Sequence, residues 1–175
     1  MSSARVFVGR LAGRGVFDPA GDRIGKLRDV LVVYRAQAAP RVVGLIVEIP
    51  GKRRVFVPVN RIISIASGQI ITTGLINVRR FEQRGGETRV LAEMVGHEVR
   101  LVEGDVSARI EDVSIDRTRS GEWLVTELFV RLPKPAAPFA RSDSRTVRWG
   151  EVRLPAASGA PQSAERLIQT IVDLK

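Results

Sequence analysis

The residues that could do chemistry are few, and they narrow the options quickly. The 175 residues include one histidine, His97, and no cysteine. A zinc site of mixed His and Cys ligands and any disulfide are excluded, and a Ser-His-Asp relay would have to run through His97. His97 follows Gly96 and precedes Glu98, a setting that reads as the surface of a turn. Gly13-Arg14-Gly15 lacks the third glycine and the following helix of a dinucleotide loop, and no phosphate loop or nucleophile elbow occurs. The carboxylates stand beside arginines, as in Arg28-Asp29 and Asp116-Arg117, the placement of solvated charge pairs. An oxygen-only magnesium site needs just one or two carboxylates and stays compatible with this set. The expectation is a protein that is not an enzyme and carries no metal or cofactor.

Cationic side chains are the second resource. The net charge is +9, and it is uneven: residues 1–90 carry +10 and residues 91–175 carry −1. Lys52, Arg53 and Arg54 form one cluster, and Arg79 and Arg80, with Arg84 and Arg89, form another. Such groups meet phosphate, anionic lipid or an acidic protein, or simply keep the molecule dissolved. Aromatic residues make up 5% and are not interleaved with the basic clusters, which argues against a stacking platform for single strands. Lys52, Arg53, Arg54, Arg79 and Arg80 are the candidate polyanion contacts, with nucleic acid ranked below a protein partner.

Short β-branched runs between Gly and Pro signals must position these groups. Val6–Val8, Arg28–Tyr34, Arg41–Ile49, Arg53–Val59 and Gln69–Thr72 read as strands of a small antiparallel β protein. Pro50-Gly51-Lys52 reads as a hairpin turn, and Pro58 as a strand end. Asn60–Ile65 reads as one helical or 3₁₀ turn capped by Asn60. The longest uncharged run, residues 62–78, contains Ser, Gln, Thr and Asn, falls short of a membrane span, and reads as two strands around Ser67-Gly68. Residues 1–12 show no secretory leader pattern.

The order then repeats. GDRIGKLRDVLV from Gly21 returns as GDVSARIEDVSI from Gly104, at an offset of 83. Gly13 meets Gly96, Val16 meets Val99, Asp29 meets Asp112, Leu101 replaces Asp18, and Ala108 replaces Gly25. Trp123–Leu132 aligns on the Arg41–Ile49 run at an offset of 82, and Arg145–Val152 on Val55–Ile62 at 90. The intervening Pro133–Ser144 reads as an inserted loop. Repetition implies two copies of one unit. Gly21 and Gly25 are expected to relieve a hairpin at positive φ. Asp29 and Asp112 are expected at strand starts, accepting bonds from turn amides; a metal or acid–base role is the alternative reading.

The series Gly13, Val16, Asp18, Gly21, Ile24, Gly25, Leu27, Asp29 and Val30–Val32 resembles the PRC-barrel superfamily, which includes the cytoplasmic domain of the photosynthetic reaction centre H subunit and the C-terminal domain of the ribosome maturation factor RimM. The closing VFVPVNRI resembles the family's usual end, where Trp often stands at Val59, as Trp149 does in the second copy. The resemblance covers about residues 5–155 and implies an all-β fold of two small antiparallel barrels in tandem with a short C-terminal helix. The expected division is 1–90, 91–155, and a linker and helix start at 156–175. Leu167, Ile168, Ile171, Val172 and Leu174 lie on one helical face of that tail. This pattern resembles actinobacterial magnesium-transporter-like proteins, in which paired PRC barrels precede an MgtE N-terminal helical domain and CBS domains. By resemblance, the chain is an interaction or regulatory module in the cytoplasm or at the inner face of the membrane, docking to protein partners or to its own downstream domains. The alternative is an RNA- or ribosome-associated assembly factor.

Overall fold

The computed structural model describes residues 5–75, 78–134, 136–137 and 139–154. The first half runs β1 (Val6–Phe7), α1 (Val8–Leu11), β2 (Gly15–Phe17), β3 (Arg23–Arg35), β4 (Ala38–Ile49), β5 (Arg53–Pro58), a 3₁₀ turn (Val59–Arg61), β6 (Ile62–Ala66) and β7 (Gln69–Thr72). A connector follows with β8 (Arg79–Arg80), β9 (Glu87–Arg89) and a π-helical turn (Val90–Met94). The second half runs β10 (Glu98–Leu101), a 3₁₀ turn (Glu103–Asp105), β11 (Val106–Arg117), β12 (Trp123–Arg131), β13 (Ser144–Arg148), a 3₁₀ turn (Trp149–Glu151) and β14 (Val152–Arg153). The fold is all-β, and the described strands hydrogen-bond into one continuous 14-stranded sheet.

Both halves are antiparallel meanders with the same order. β2, β3, β4 and β5 pair in sequence, and so do β10, β11, β12 and β13. A 3₁₀ turn then carries the chain to β6 or β14. They differ at closure: β14 pairs directly with β10, whereas β7 lies between β2 and β6. The turn before β7 uses Ser67 and Gly68 at φ +52° and +74°. The turn before β5 uses Gly51 and Lys52 at +85° and +59°. Two consecutive positive φ values are what a tight right-twisted hairpin requires.

The strand registers of the two halves correspond at their irregularities. Between Leu27 and Asp29 the chain bulges against β4, leaving Arg28 as the extra residue, and between Ile110 and Asp112 it bulges the same way around Glu111. A second irregularity follows Leu31 in one half and Ser114 in the other. Because Leu45 pairs with Val30 and Leu128 with Val113, the offset along β4 and β12 stays at 83. The offset of 82 expected for this run is therefore corrected. The buried faces agree: Val42, Leu45 and Val47 correspond to Val125, Leu128 and Val130, all at 1% exposure or less. A one-residue slip would turn those side chains to the opposite face.

The halves meet through β4 and β12, antiparallel, with Arg41 opposite Leu124. These two are each other's equivalents at the offset of 83. A residue that faces its own counterpart across an antiparallel contact marks a two-fold axis, here within one chain. Around that axis the N-terminal arms are exchanged. β1 pairs with β11 of the second half, and β9, which leads into that half, pairs with β3 of the first. One hydrophobic cluster runs through both barrels, including Val8 and Leu11 from one arm and Val90 and Met94 from the other.

Several local expectations are overturned. Asp29 and Asp112 lie within long strands and not at strand starts, because each strand begins several residues earlier, across the bulge. Gly25 is absent from the positive-φ positions, and a Cβ there would lie 2.5 Å from the Glu48 carbonyl oxygen. Its role is close strand approach and not a turn. The 3₁₀ turn is Val59–Arg61, preceded by Pro58 and without a side-chain cap, so Asn60 does not cap it. Residues 62–66 are then extended because Ile62 and Ile65 reach the core. The expected C-terminal helix lies outside the described residues.

Candidate functional site

Asp29 shows what the repeated motif does. Its Oδ1 accepts from the Val30 amide at 2.7 Å and the Leu91 amide at 2.8 Å, and its Oδ2 accepts from the Ala92 amide at 3.0 Å. Residues 91 and 92 belong to the π-helical turn of the second arm, where amides near a helix start lack internal partners. Asp112 repeats the arrangement in reverse, accepting from Val113 at 2.8 Å and from Gly9 of α1 at 2.9 Å. Each barrel therefore holds the other's arm with one carboxylate. Burial pushes the Asp29 carboxyl above its ordinary value, opposed by the Leu91, Val30 and Ala92 amides and by the nearby Arg89 charge. These carboxylates are locks between barrels.

The other motif residues also serve the frame. Gly13 and Gly96 adopt φ +77° and +92° after the helical turns, and their amides bond to the equivalent Leu27 and Ile110 carbonyls at 2.8 and 2.7 Å. Val16 and Val99 are fully buried. Asp18 accepts the Asp22 amide at 2.9 Å and closes the turn containing Gly21 at φ +90°. Gly104 holds the matching turn at φ +78°. Trp149 packs on the other barrel's Tyr34, with ring centroids 5.8 Å apart. It borders a cleft of about 620 Å³ at the seam, whose symmetry mate of about 440 Å³ has Val59 in its place. His97 is exposed. Among the described residues, no three His, Asp or Glu side chains cluster as a metal site.

The basic residues are brought together by the connector. β8 pairs antiparallel with β5, placing Arg80 opposite Val55 and Arg79 opposite Phe56. The Phe81 amide bonds to the Arg54 carbonyl at 2.8 Å and extends that pairing. The cluster at 52–54 and the cluster at 79–80, far apart in sequence, thus share one edge of the first barrel. Lys52, Arg53, Arg54 and Arg80 are exposed around a hollow of about 810 Å³. Ile49, Val55, Val78 and Phe81 supply its apolar lining. Arg79 instead stacks on Phe56, its guanidinium 4.3 Å from the ring centroid, and donates to the Glu82 carbonyl at 3.2 Å. Among the described residues, no ion pair engages Lys52, Arg53, Arg54, Arg79 or Arg80 within 4.0 Å. Sequence reasoning found both clusters, but not the hollow, since nothing local predicts that β8 joins β5.

Comparison with known families gives each half its own match, and the match to the PRC barrel covers the first half alone, not the expected pair. Residues 5–75 match the PRC-barrel domain, and residues 88–158 match the Actinomycetes SH3 domain. The second match begins at β9, so it includes the arm that crosses to the first barrel. No curated protein matches the chain. Among the described residues, no helix is long and apolar enough to cross a membrane.

Proposed function

We propose that the chain is a non-enzymatic docking module, a two-barrel platform that presents a fixed surface to a protein partner. The carrying observation is the reciprocal lock. Each barrel's arm is strand-paired to, and capped by a carboxylate of, the other barrel, so both present their surfaces in one set relation. A preorganised surface loses less freedom on binding, which suits recognition of a partner. The PRC-barrel match over the first half supports an interaction role. We read the second half as a diverged copy of the same barrel, on the shared strand order and the bulge at equivalent positions.

Within this reading, the partner is a separate protein or a set of helical and CBS domains like those that follow paired PRC barrels in magnesium-transporter-like proteins. Support for the latter is the resemblance of the motif and the amphipathic pattern of residues 162–175, which lie outside the described residues. The second reading, an RNA- or ribosome-associated factor, draws on the charge of the first half. In-cell photo-crosslinking from position 53 and from position 145 distinguishes them. The docking reading expects a discrete protein adduct identified by mass spectrometry. RNA adducts in excess of protein adducts, formed at physiological salt, would overturn it.

A further inference from the structure

The geometry points to the hollow between β5 and β8 as a binding site for an acidic protein segment that also carries an apolar anchor. This inference rests on the docking reading and specifies the partner's chemistry. Two features make the hollow more than a solvated face. First, the consecutive Lys52, Arg53 and Arg54 converge there with Arg80, which is distant in sequence. No acidic side chain of the described residues lies within 4.0 Å of them, the counter-charge on this edge being Glu48, opposite Arg54 across β4 and β5. Like charges held close together repel, and an anionic occupant would relieve that repulsion. Second, the floor is apolar: Val55 is 7% exposed, and Ile49, Val78 and Phe81 are partly exposed beside it. Charged rims over apolar floors suit ligands that bury an apolar side chain while carboxylates meet the rim.

The same details argue against the other anionic partners. Base stacking along a strand needs a series of open aromatic faces, yet the Phe56 ring is covered by Arg79 at 4.3 Å, which leaves Phe81 as the single aromatic ring in the lining of the hollow. A bilayer surface would meet the cations but leave the concave floor unfilled. A peptide with alternating carboxylates and aliphatic side chains satisfies both parts. Lys26 lies on the neighbouring stretch of this edge, where Glu48 balances it at 3.2 Å.

The test uses the full chain and fluorescence anisotropy at about 150 mM salt, where surface charges more than about 8 Å apart are largely screened. The probes are a labelled peptide of alternating Glu and Leu, a Glu-Ser peptide of equal charge, a single-stranded RNA oligomer and vesicles of anionic phospholipid. The proposal expects the Glu-Leu peptide to bind most tightly. It also expects R53S/R54S/R80S to weaken that binding by at least about tenfold, since each charged contact is worth more than an ordinary hydrogen bond. R141S/R145S/R148S, which removes equal charge from the second half, should leave it unchanged. Circular dichroism of the first variant checks that it folds, and V78S, which keeps every charge, should weaken the Glu-Leu peptide and spare the Glu-Ser one. Equal binding of the two peptides overturns the anchor, and equal loss in both triple variants overturns the site. Neither of these results bears on the reciprocal lock that carries the docking reading or on the crosslinking experiment that tests it. RNA or vesicles binding more tightly than either peptide overturns the inference.

Discussion

Asp29 is subject to two opposed forces, and their balance predicts its behaviour. Removal from water disfavours its charge, and three amides within 3.0 Å favour it. The net effect raises its pKa above the ordinary 3.8. The native state therefore holds this proton at pH values where the unfolded chain has released it. Asp29's contribution to stability is fully present below that ordinary value and is lost as pH rises through the elevated one. Urea unfolding of wild type and Asp29→Asn, compared across that window, should show the wild type losing stability relative to the variant as pH rises. The opposite slope would show that the amides outweigh burial. At neutral pH, Asp29→Ala should cost about 1–3 kcal/mol, because two arm amides and the Val30 amide lose their acceptor. His97→Ala should leave the unfolding midpoint unchanged, since His97 is exposed and only its backbone is engaged, by the Met94 and Ile110 pairings. Arg28 and Glu48 approach at 3.3 Å, and their equivalents Glu111 and Arg131 at 3.0 Å with the charges exchanged. Position and pairing persist between the halves although each residue type has changed.

At the scale of elements, the arms are the test. Val8 and Leu11 are buried at 0% and 2% exposure, yet their helical turn sits against the second barrel. Burying each such side chain is worth about 1.5–3 kcal/mol. Deleting residues 1–11 should therefore loosen β11 more than β3, although the deletion lies at the start of the first half. Hydrogen exchange at β11 amides should accelerate by about a hundredfold, the equivalent of a few kcal/mol. Loss of protection confined to β2 and β3 would contradict the exchanged arrangement. A gentler probe is Gly9→Ala: a Cβ there would lie 2.6 Å from Asp112 Oδ2, so the carboxylate must move and the cap must weaken. The second arm accommodates Leu91 at its first capped amide because its turn is π-helical, with five residues where α1 has four. The extra residue changes the offset from 82 in the arms to 83 in the strands.

At the scale of the molecule, exchange makes the two barrels one cooperative body. Both tryptophans, Trp123 and Trp149, lie in the second half, and Trp149 packs on Tyr34 of the first, so fluorescence reports the second half and the seam while far-ultraviolet circular dichroism reports both halves. The two probes should give coincident urea transitions, the mark of all-or-none unfolding. Separated transitions would mean that the core running through both barrels is not shared energetically. Cutting the chain between them should not yield two stable pieces, because residues 13–75 alone would leave β3 without β9 and Asp29 without its arm amides.

The sequence by itself determined the all-β class, the turns at 50–52 and 67–68, and the strand order common to the two halves. Each of these follows from local chemistry: β-branched runs, glycines at positive φ, and spacing. It also located the basic residues and the repeated aspartates. Only the tertiary structure decided what those residues act upon. The Asp29 pattern is identical whether its oxygens meet a neighbouring turn or an arm some sixty residues away, because a carboxylate specifies an amide and not the segment that supplies it. The true register of β12 was hidden for a similar reason, since β-branched residues stand on both faces and a slip of one costs little in a string comparison. In the barrel, the same slip would expose Leu128 and Val130 and bury their neighbours, and the hydrophobic effect fixes the alignment that the letters left open.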